Sequence, residues 1–158
     1  GYAAGVDVSK DILKMAVVER HKNTRHIGIG YLKGYGLKSG AVATSVAHDS
    51  HNILCVGTND EDMAIAVNRI ARNRGGIVVV KNGQVLAELP LEIAGIISGK
   101  PLREVNTLLE DAKKAAHALG VGTDIDPFMT LSFMSLPVIP TLRLTTRGVV
   151  DVNTQQYV

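Results

Sequence analysis

The run Ile12–Glu19, Ile-Leu-Lys-Met-Ala-Val-Val-Glu, is almost wholly apolar and predicts a β-strand that ends in the charged turn Arg20–Arg25. His26–Leu32 alternates glycine with larger residues (Ile27-Gly28-Ile29-Gly30-Tyr31), the pattern of a strand that another backbone approaches closely. Gly34, Gly36 and Gly40 then punctuate a loop. Ala41–Ala47 is small and β-branched, and Asn52–Gly57 is short and apolar; both read as strands. Thr58-Asn59-Asp60-Glu61 carries a helix-start signal, with Thr58 as cap and Glu61 completing a capping box. Asp60, Glu61 and Asp62 place negative charge at the positive end of that helix, and Arg69, Arg72 and Arg74 sit near its other end. Met63, Val67 and Ile70 give it an apolar face, and Gly75-Gly76 closes it.

Further along, Ile77–Val80 and Val85–Leu89 flank Lys81-Asn82-Gly83-Gln84. Asn-Gly between two apolar runs predicts a hairpin with a type I′ turn, and Pro90 stops its second strand. Pro101 opens a second helix that runs to about His117, with Leu102, Val105, Leu108, Leu109 and Ala112 as its buried stripe and Gly120 beyond its end. Pro127–Leu136 is apolar and fits either a helix or a strand. Pro137 and Pro140 impose an extended stretch, and Leu142–Leu144 with Gly148–Val152 predict a terminal strand region. The sum is an α/β (α+β) fold, with a largely antiparallel or mixed sheet packed against three to four helices. Most strand-to-strand connections are too short for helical crossovers.

Length adds one constraint. The 158 residues suit a single domain, 1–158, and 46% hydrophobic residues can fill a core without a disulfide or a structural metal. The chain starts at Gly1 and not at Met, which suggests a piece of a longer or processed polypeptide. Charge excludes more than it proposes. A net charge of +2, scattered and without basic runs interleaved with aromatics, gives no support to nucleic-acid binding. The Arg69–Arg72–Arg74 cluster reads as a solvated helix end. No apolar stretch reaches the length of a membrane span, and the single cysteine, Cys55, lies inside an apolar run, so a reducing cytoplasm and a role as a small buried hydrophobe are expected.

The densest candidate chemistry lies between two predicted strands. His48, Asp49 and His51, with Ser50 and Asn52, bring groups suited to metal binding or proton transfer into one connection, Ser45–Asn52. His48 and His51 could ligate a divalent metal, with Asp49 as a further ligand or as an orienter. They could instead act as acid and base around a ligand, or the segment could be a polar turn bonded to its own backbone. A catalytic metal centre needs about three protein ligands, and the sequence names no third. His21 and His26 fall in a charged turn, and His117 at a helix end. Asp124, Asp126 and Thr130 could border a pocket, although Asp126-Pro127 more simply starts a helix or turn. Gly28–Gly40 contains neither a P-loop nor a correctly placed Gly-x-Gly-x-x-Gly, which rejects a dinucleotide site.

Several segments together resemble the C-terminal domain of adenine deaminase. They are Gly34-Tyr35-Gly36-Leu37-Lys38-Ser39-Gly40-Ala41, Ser45-Val46-Ala47-His48-Asp49-Ser50-His51-Asn52, and Val56-Gly57-Thr58-Asn59-Asp60-Glu61-Asp62-Met63-Ala64. Leu86–Leu91, Asp126–Phe133 and Pro137–Pro140 extend the likeness over nearly the whole chain. The resemblance implies the amidohydrolase superfamily, and a reaction of purine metabolism and adenine catabolism: adenine and water give hypoxanthine and ammonia. It further implies manganese or iron held in a (β/α)8 barrel, where the ions make a water acidic enough to attack the ring. Such a barrel takes about 250 residues and is absent from this chain, as is its His-x-His ligand pair. The expectation is therefore a C-terminal domain that supports or caps the barrel and is inactive alone. His48, Asp49, Ser50, His51 and Asn52 are its accessory candidates, and His48 and His51 its candidate metal ligands. The expected partners are the amidohydrolase barrel of the same protein, adenine as substrate and further copies in a homo-oligomer, with no nucleic acid or membrane. A structural or oligomerisation domain and a free-standing small-ligand-binding module are the alternatives.

Overall fold

A computed structural model describes all 158 residues. A six-stranded sheet organises the fold. Its strands are β1 (Ile12–Val18), β2 (Ile27–Lys33), β3 (Ala41–Thr44), β4 (Ile53–Gly57), β5 (Gly76–Lys81) and β6 (Gln84–Pro90). They lie in the order β2-β1-β4-β3-β5-β6, and every neighbouring pair is antiparallel. Helix α1 (Asp60–Arg72) connects β4 to β5 across one face; α2 (Leu102–Ala118) and α3 (Pro127–Met134) lie on the other. Strands β7 (Leu142–Thr145), β8 (Gly148–Asp151) and β9 (Gln156–Tyr157) form a second, three-stranded antiparallel sheet. The fold is thus α+β with three helices, as the pattern of short connections implies.

Two cores follow from this layering. On the α2 and α3 side, Leu13, Met15, Val17, Val42, Leu54, Val56, Ile77 and Val79 point into one large cluster with Ala112, Ala116, Phe128 and Leu131. On the α1 side, Ala16, Ala41, Ala43, Cys55, Val78 and Val80 meet Met63, Ala66 and Ile70. Small residues on β3 and β4 let α1 approach closely. Cys55 sits there fully buried; burial pushes its thiol pKa far up, so the packing role expected of it holds.

The type I′ turn is present, with Asn82 at φ 51° and Gly83 at φ 78°. Asp126 accepts hydrogen bonds from the Phe128 and Met129 amides and starts α3, which decides the ambiguous apolar run in favour of a helix. Two local expectations are corrected. Asn59, not Thr58, caps α1, accepting from the Asp62 amide at 2.8 Å. Thr58 is buried and donates to the Gly40 carbonyl instead. Asp62 is no surface charge: it is 2% exposed and accepts from the Asn82 and Gly83 amides, which ties the start of α1 to the β5–β6 turn. Leu102 leaves the predicted stripe of α2 and is 84% exposed, because it sits in the first turn, beyond the sheet. The stripe is carried by Val105, Leu108, Leu109, Ala112 and Ala116.

The glycines of β2 have a steric purpose. Gly28 and Gly30 face the β7–β8 hairpin, and a Cβ built on Gly28 would lie 1.7 Å from the Thr145 carbonyl oxygen. A Cβ on Gly30 would meet Leu144 and Val149 at tight contact. Gly28→Ala should therefore push the hairpin off β2 and cost about 1–3 kcal/mol of stability in denaturant unfolding. Gly34→Ala tests a glycine whose added Cβ meets no neighbour and whose only cost is its positive φ. It should perturb the β7–β8 region far less.

Candidate functional site

The Ser45–Asn52 connection joins β3 to β4 at the end of the sheet where β1 also finishes. Its anchor is Ser45, fully buried. The Ser45 hydroxyl donates to the Gly95 carbonyl and accepts from the Gly76 amide at 2.8 Å. One side chain thus binds the connection to the segment after β6. Val46 donates its amide to Thr44 Oγ1, and Ala47 is buried in the larger core.

Beyond Ala47 the backbone bends sharply, with Asp49 at φ 66° and His51 at φ 47°, left-handed conformations that cost energy and persist only when other contacts hold them. Those contacts are present. The His51 amide donates to the Ala47 carbonyl at 2.8 Å, and the Ala47 amide reaches His51 Nδ1 at 3.3 Å. The His48 amide donates to Ser132 Oγ of α3, and the His48 ring lies 4.9 Å from the ring of Phe133. The Asn52 amide donates to Ser50 Oγ at 3.4 Å. Asp49 and Ser50 are exposed, while His48, His51 and Asn52 are half-buried.

Arg20 is the residue that sequence reasoning missed. Placed there in a charged turn, it instead bridges three segments. Its Nε donates to the His51 carbonyl at 2.8 Å, its Nη2 to the Ala94 carbonyl at 2.8 Å and its Nη1 to the Arg74 carbonyl at 3.5 Å. Its amide donates to Asn52 Oδ1. Burial lowers the pKa of this guanidinium, which no carboxylate faces; backbone carbonyls fill its fork. The partners lie 31 to 74 positions away, so no local signal could have pointed to it. The next residue adds a further tie: His21 Nε2 lies 2.6 Å from the Ser50 carbonyl.

The neighbouring segment is apolar. Ile93, Ile96 and Ile97 are 50%, 37% and 53% exposed, on the short loop that supplies the Ala94 and Gly95 carbonyls. This end of the domain therefore presents polar groups of His48–Asn52 beside a cluster of unburied isoleucines. On the α2 and α3 side lies a cavity of about 210 Å3, bordered by Val46, Leu109, Phe128, Met129 and Ser132. Its polar neighbours are committed elsewhere: Asp126 caps α3 and pairs with Lys113 at 3.1 Å, and Ser132 receives the His48 amide. A purine edge would find few free hydrogen-bonding partners there.

The structure keeps His48 and His51 in one loop but adds no third ligand. No cluster of three or more His, Cys, Asp or Glu side chains suited to a metal ion exists in the chain. The donor set of a catalytic metal centre is not assembled from these residues alone. The other sequence candidates are dispersed. His117 Nδ1 lies 3.1 Å from the Val121 carbonyl at the end of α2, and His26 is exposed. Arg69 is no free surface cation; it forms a two-pronged pair with Glu88, at 2.6 and 2.7 Å. The Gly36 amide is taken by the Asp11 carboxylate, so this loop glycine offers no free donor to a phosphate. No helix is long and apolar enough to cross a membrane.

Glu19 organises the turn that carries His21. Desolvation opposes its ionisation, but the Thr24, Lys22 and His21 amides outweigh this and hold its carboxyl down to about 2, from an ordinary 4.5. A depressed carboxyl stabilises the folded turn above its ordinary pKa, and that contribution is lost as pH falls from 4.5 towards 2. Protection of the His21, Lys22 and Thr24 amides, taken relative to the unstructured rate at the same pH, should therefore fall through this window. Glu19→Gln should already show reduced protection of these amides at neutral pH, and no change of protection between pH 4.5 and 2.

Comparison with known proteins gives these features a context. The family profile for the adenine deaminase C-terminal domain matches residues 2–156. The protein named adenine deaminase in Nitratidesulfovibrio vulgaris strain Hildenborough is 54% identical over 147 residues, which cover 92% of this chain and 26% of that relative. The adenine deaminase of Bacillus subtilis strain 168 is 47% identical over 152 residues, 96% of this chain and 26% of the relative. The adenine deaminase of Brucella anthropi is 51% identical over 152 residues, 96% of this chain and 27% of the relative. The chain thus spans about a quarter of the length of the curated relatives it matches.

Proposed function

The chain belongs to the adenine deaminase C-terminal domain family, and from that premise we propose that it is the single C-terminal domain of a cytoplasmic adenine deaminase, whose loop His48–Asn52 completes or shields a purine pocket built elsewhere in the polypeptide. The reaction replaces the 6-amino group of adenine with oxygen from water and releases ammonia. Metal ions, manganese or iron, would be held by the preceding amidohydrolase barrel, and their contribution is to acidify a water. The residues of this chain do not hold them; their role is to position and to exclude solvent. The full protein acts as a homo-oligomer.

The observation that carries this reading is the bracing of the loop. Arg20, Ser45 and Ser132 fix its backbone from three directions, yet Asp49 and Ser50 remain exposed. A rigid loop with free polar tips is what a contact to another domain's pocket requires, because a preordered loop loses little entropy on engagement. A second reading is favoured by the internal use of His51 Nδ1 and Asn52 Oδ1: the loop bonds only to its own domain, and the domain is a structural cover.

One pair of variants separates the two. Consider a chimera in which this chain replaces the matched quarter of the N. vulgaris relative. His48→Ala or His51→Ala in that chimera should lower kcat about tenfold or more, with the unfolding midpoint nearly unchanged for His48→Ala. Wild-type kinetics in both variants would favour the structural cover. The isolated 158-residue chain, supplied with manganese, should form no hypoxanthine above background by absorbance or chromatography. Measurable turnover would place a complete site within it and contradict the proposal.

A further inference from the structure

The two faces of the sheet are covered unequally. On one face α2, α3 and the β7–β8 hairpin together cross from β6 to β2. On the other, α1 packs on β3, β4 and β5, reaches Ala16 and Val18 of β1, and leaves β2 uncovered. The register places Lys14 beside Tyr31, Ala16 beside Ile29 and Val18 beside Ile27, all directed to this bare face. Ile27, Ile29 and Tyr31 are 55%, 46% and 59% exposed. Ile27 and Ile29, with Val18 of β1 and Met63 and Val67 of α1, line a groove, and Val18 and Val67 also border a second depression beside Arg20 and Arg74. Strand β2 is also the edge of the sheet, seven residues long, with one row of backbone groups unpaired. A long apolar edge left in water invites aggregation, and folded proteins cover such edges.

The position of the first residues says what covers it. The Ala3 amide donates to the Thr58 carbonyl, immediately before α1. The Tyr31 hydroxyl donates to the Ala4 carbonyl, and Gly5 packs against the same ring. Polypeptide joined ahead of Tyr2 therefore reaches the fold at the Tyr31 end of this face, beside Lys14. In the relatives the matched part is the C-terminal domain, about a quarter of the length, so the larger part precedes it.

We propose that the β1–β2 face, centred on Ile27, Ile29 and Val18, is the seat on which the preceding domain of the full-length deaminase packs, through an apolar surface of its own. The face runs from Tyr31 to Val18, which pairs with Ile53 at the end of the sheet where the His48–Asn52 loop stands, so a domain that enters at Tyr31 and packs along it reaches that loop. The inference rests on the reading of the chain as one domain of a longer deaminase. The surface chemistry fits an intramolecular contact: an apolar floor, with the Lys14–Asp60 pair at 2.7 Å and Asn68 on its rim and Arg20 and Arg74 beyond Val18.

Thiol labelling tests this without reading activity. The only native cysteine, Cys55, is fully buried and gives a silent background. Ile29→Cys and, as a control on an unrelated surface, Leu102→Cys are prepared in the isolated chain and in the chimera with the N. vulgaris relative, and treated with a maleimide. Position 29 should react about tenfold or more slowly in the chimera than in the isolated chain, while position 102 reacts equally in both. Equal reactivity of position 29 in the two proteins would overturn the proposal. So would protection of position 29 in the isolated chain that grows with concentration, since a second copy would then cover the face. Loss of deaminase activity in a chimera that still protects position 29 would count against the functional reading and leave the seat standing.

Discussion

A six-stranded antiparallel sheet has two faces, and this chain supplies enough cover for little more than one and a half of them. That constraint shapes the rest of the molecule. The α2, α3 and β7–β8 layer closes one face, and Gly28 and Gly30 allow the hairpin to sit directly on β2. Helix α1 closes the centre of the other and anchors itself at both ends, through Asp62 to the β5–β6 turn and through Arg69 to Glu88. What remains bare is apolar, and it lies where the first residues enter. A domain built to stand alone would place polar residues at Ile27, Ile29 and Tyr31.

The same geometry accounts for the loop. Connections at the end of a sheet are free to carry polar groups, but a loop with left-handed residues at Asp49 and His51 holds one shape only if others enforce it. Arg20 and Ser45 enforce it with backbone carbonyls of distant segments, and so link the loop to the exposed isoleucines after β6. Polar tips, a braced frame and an apolar neighbour thus lie side by side at one end of the domain. No ligand set for a catalytic metal is assembled here, and the chain spans about a quarter of the length of its relatives.

Much of this was legible in the sequence. Apolar runs, the glycine alternation of β2 and turn chemistry located every strand of the large sheet, though the strand expected over Ala41–Ala47 ends at Thr44, and Asn82-Gly83 fixed the hairpin because both positions need positive φ. The polar character of His48–Asn52 marked the candidate site, since residues in a connection need not serve the core. The illegible parts are those decided by long-range partners. Thr58 and Asn59 are both good caps, and burial of Thr58 beneath Gly40 selected Asn59. Asp62 looked like one more acid at a helix start until the turn amides came to it from twenty residues away. Arg20 shows no pattern at all, because its partners are carbonyls, which every residue carries.

The central claim is that the loop's shape is built into this domain and is not induced by a partner. Native-state hydrogen exchange on the isolated chain measures it directly. The Ala47, His48 and His51 amides, each bonded within the domain, should exchange at least about tenfold more slowly than in an unstructured peptide, and Arg20→Ala should release the His51 amide while the β4 amides stay protected. Exchange of these amides at the unstructured rate in the wild-type chain, with β4 intact, would contradict the account.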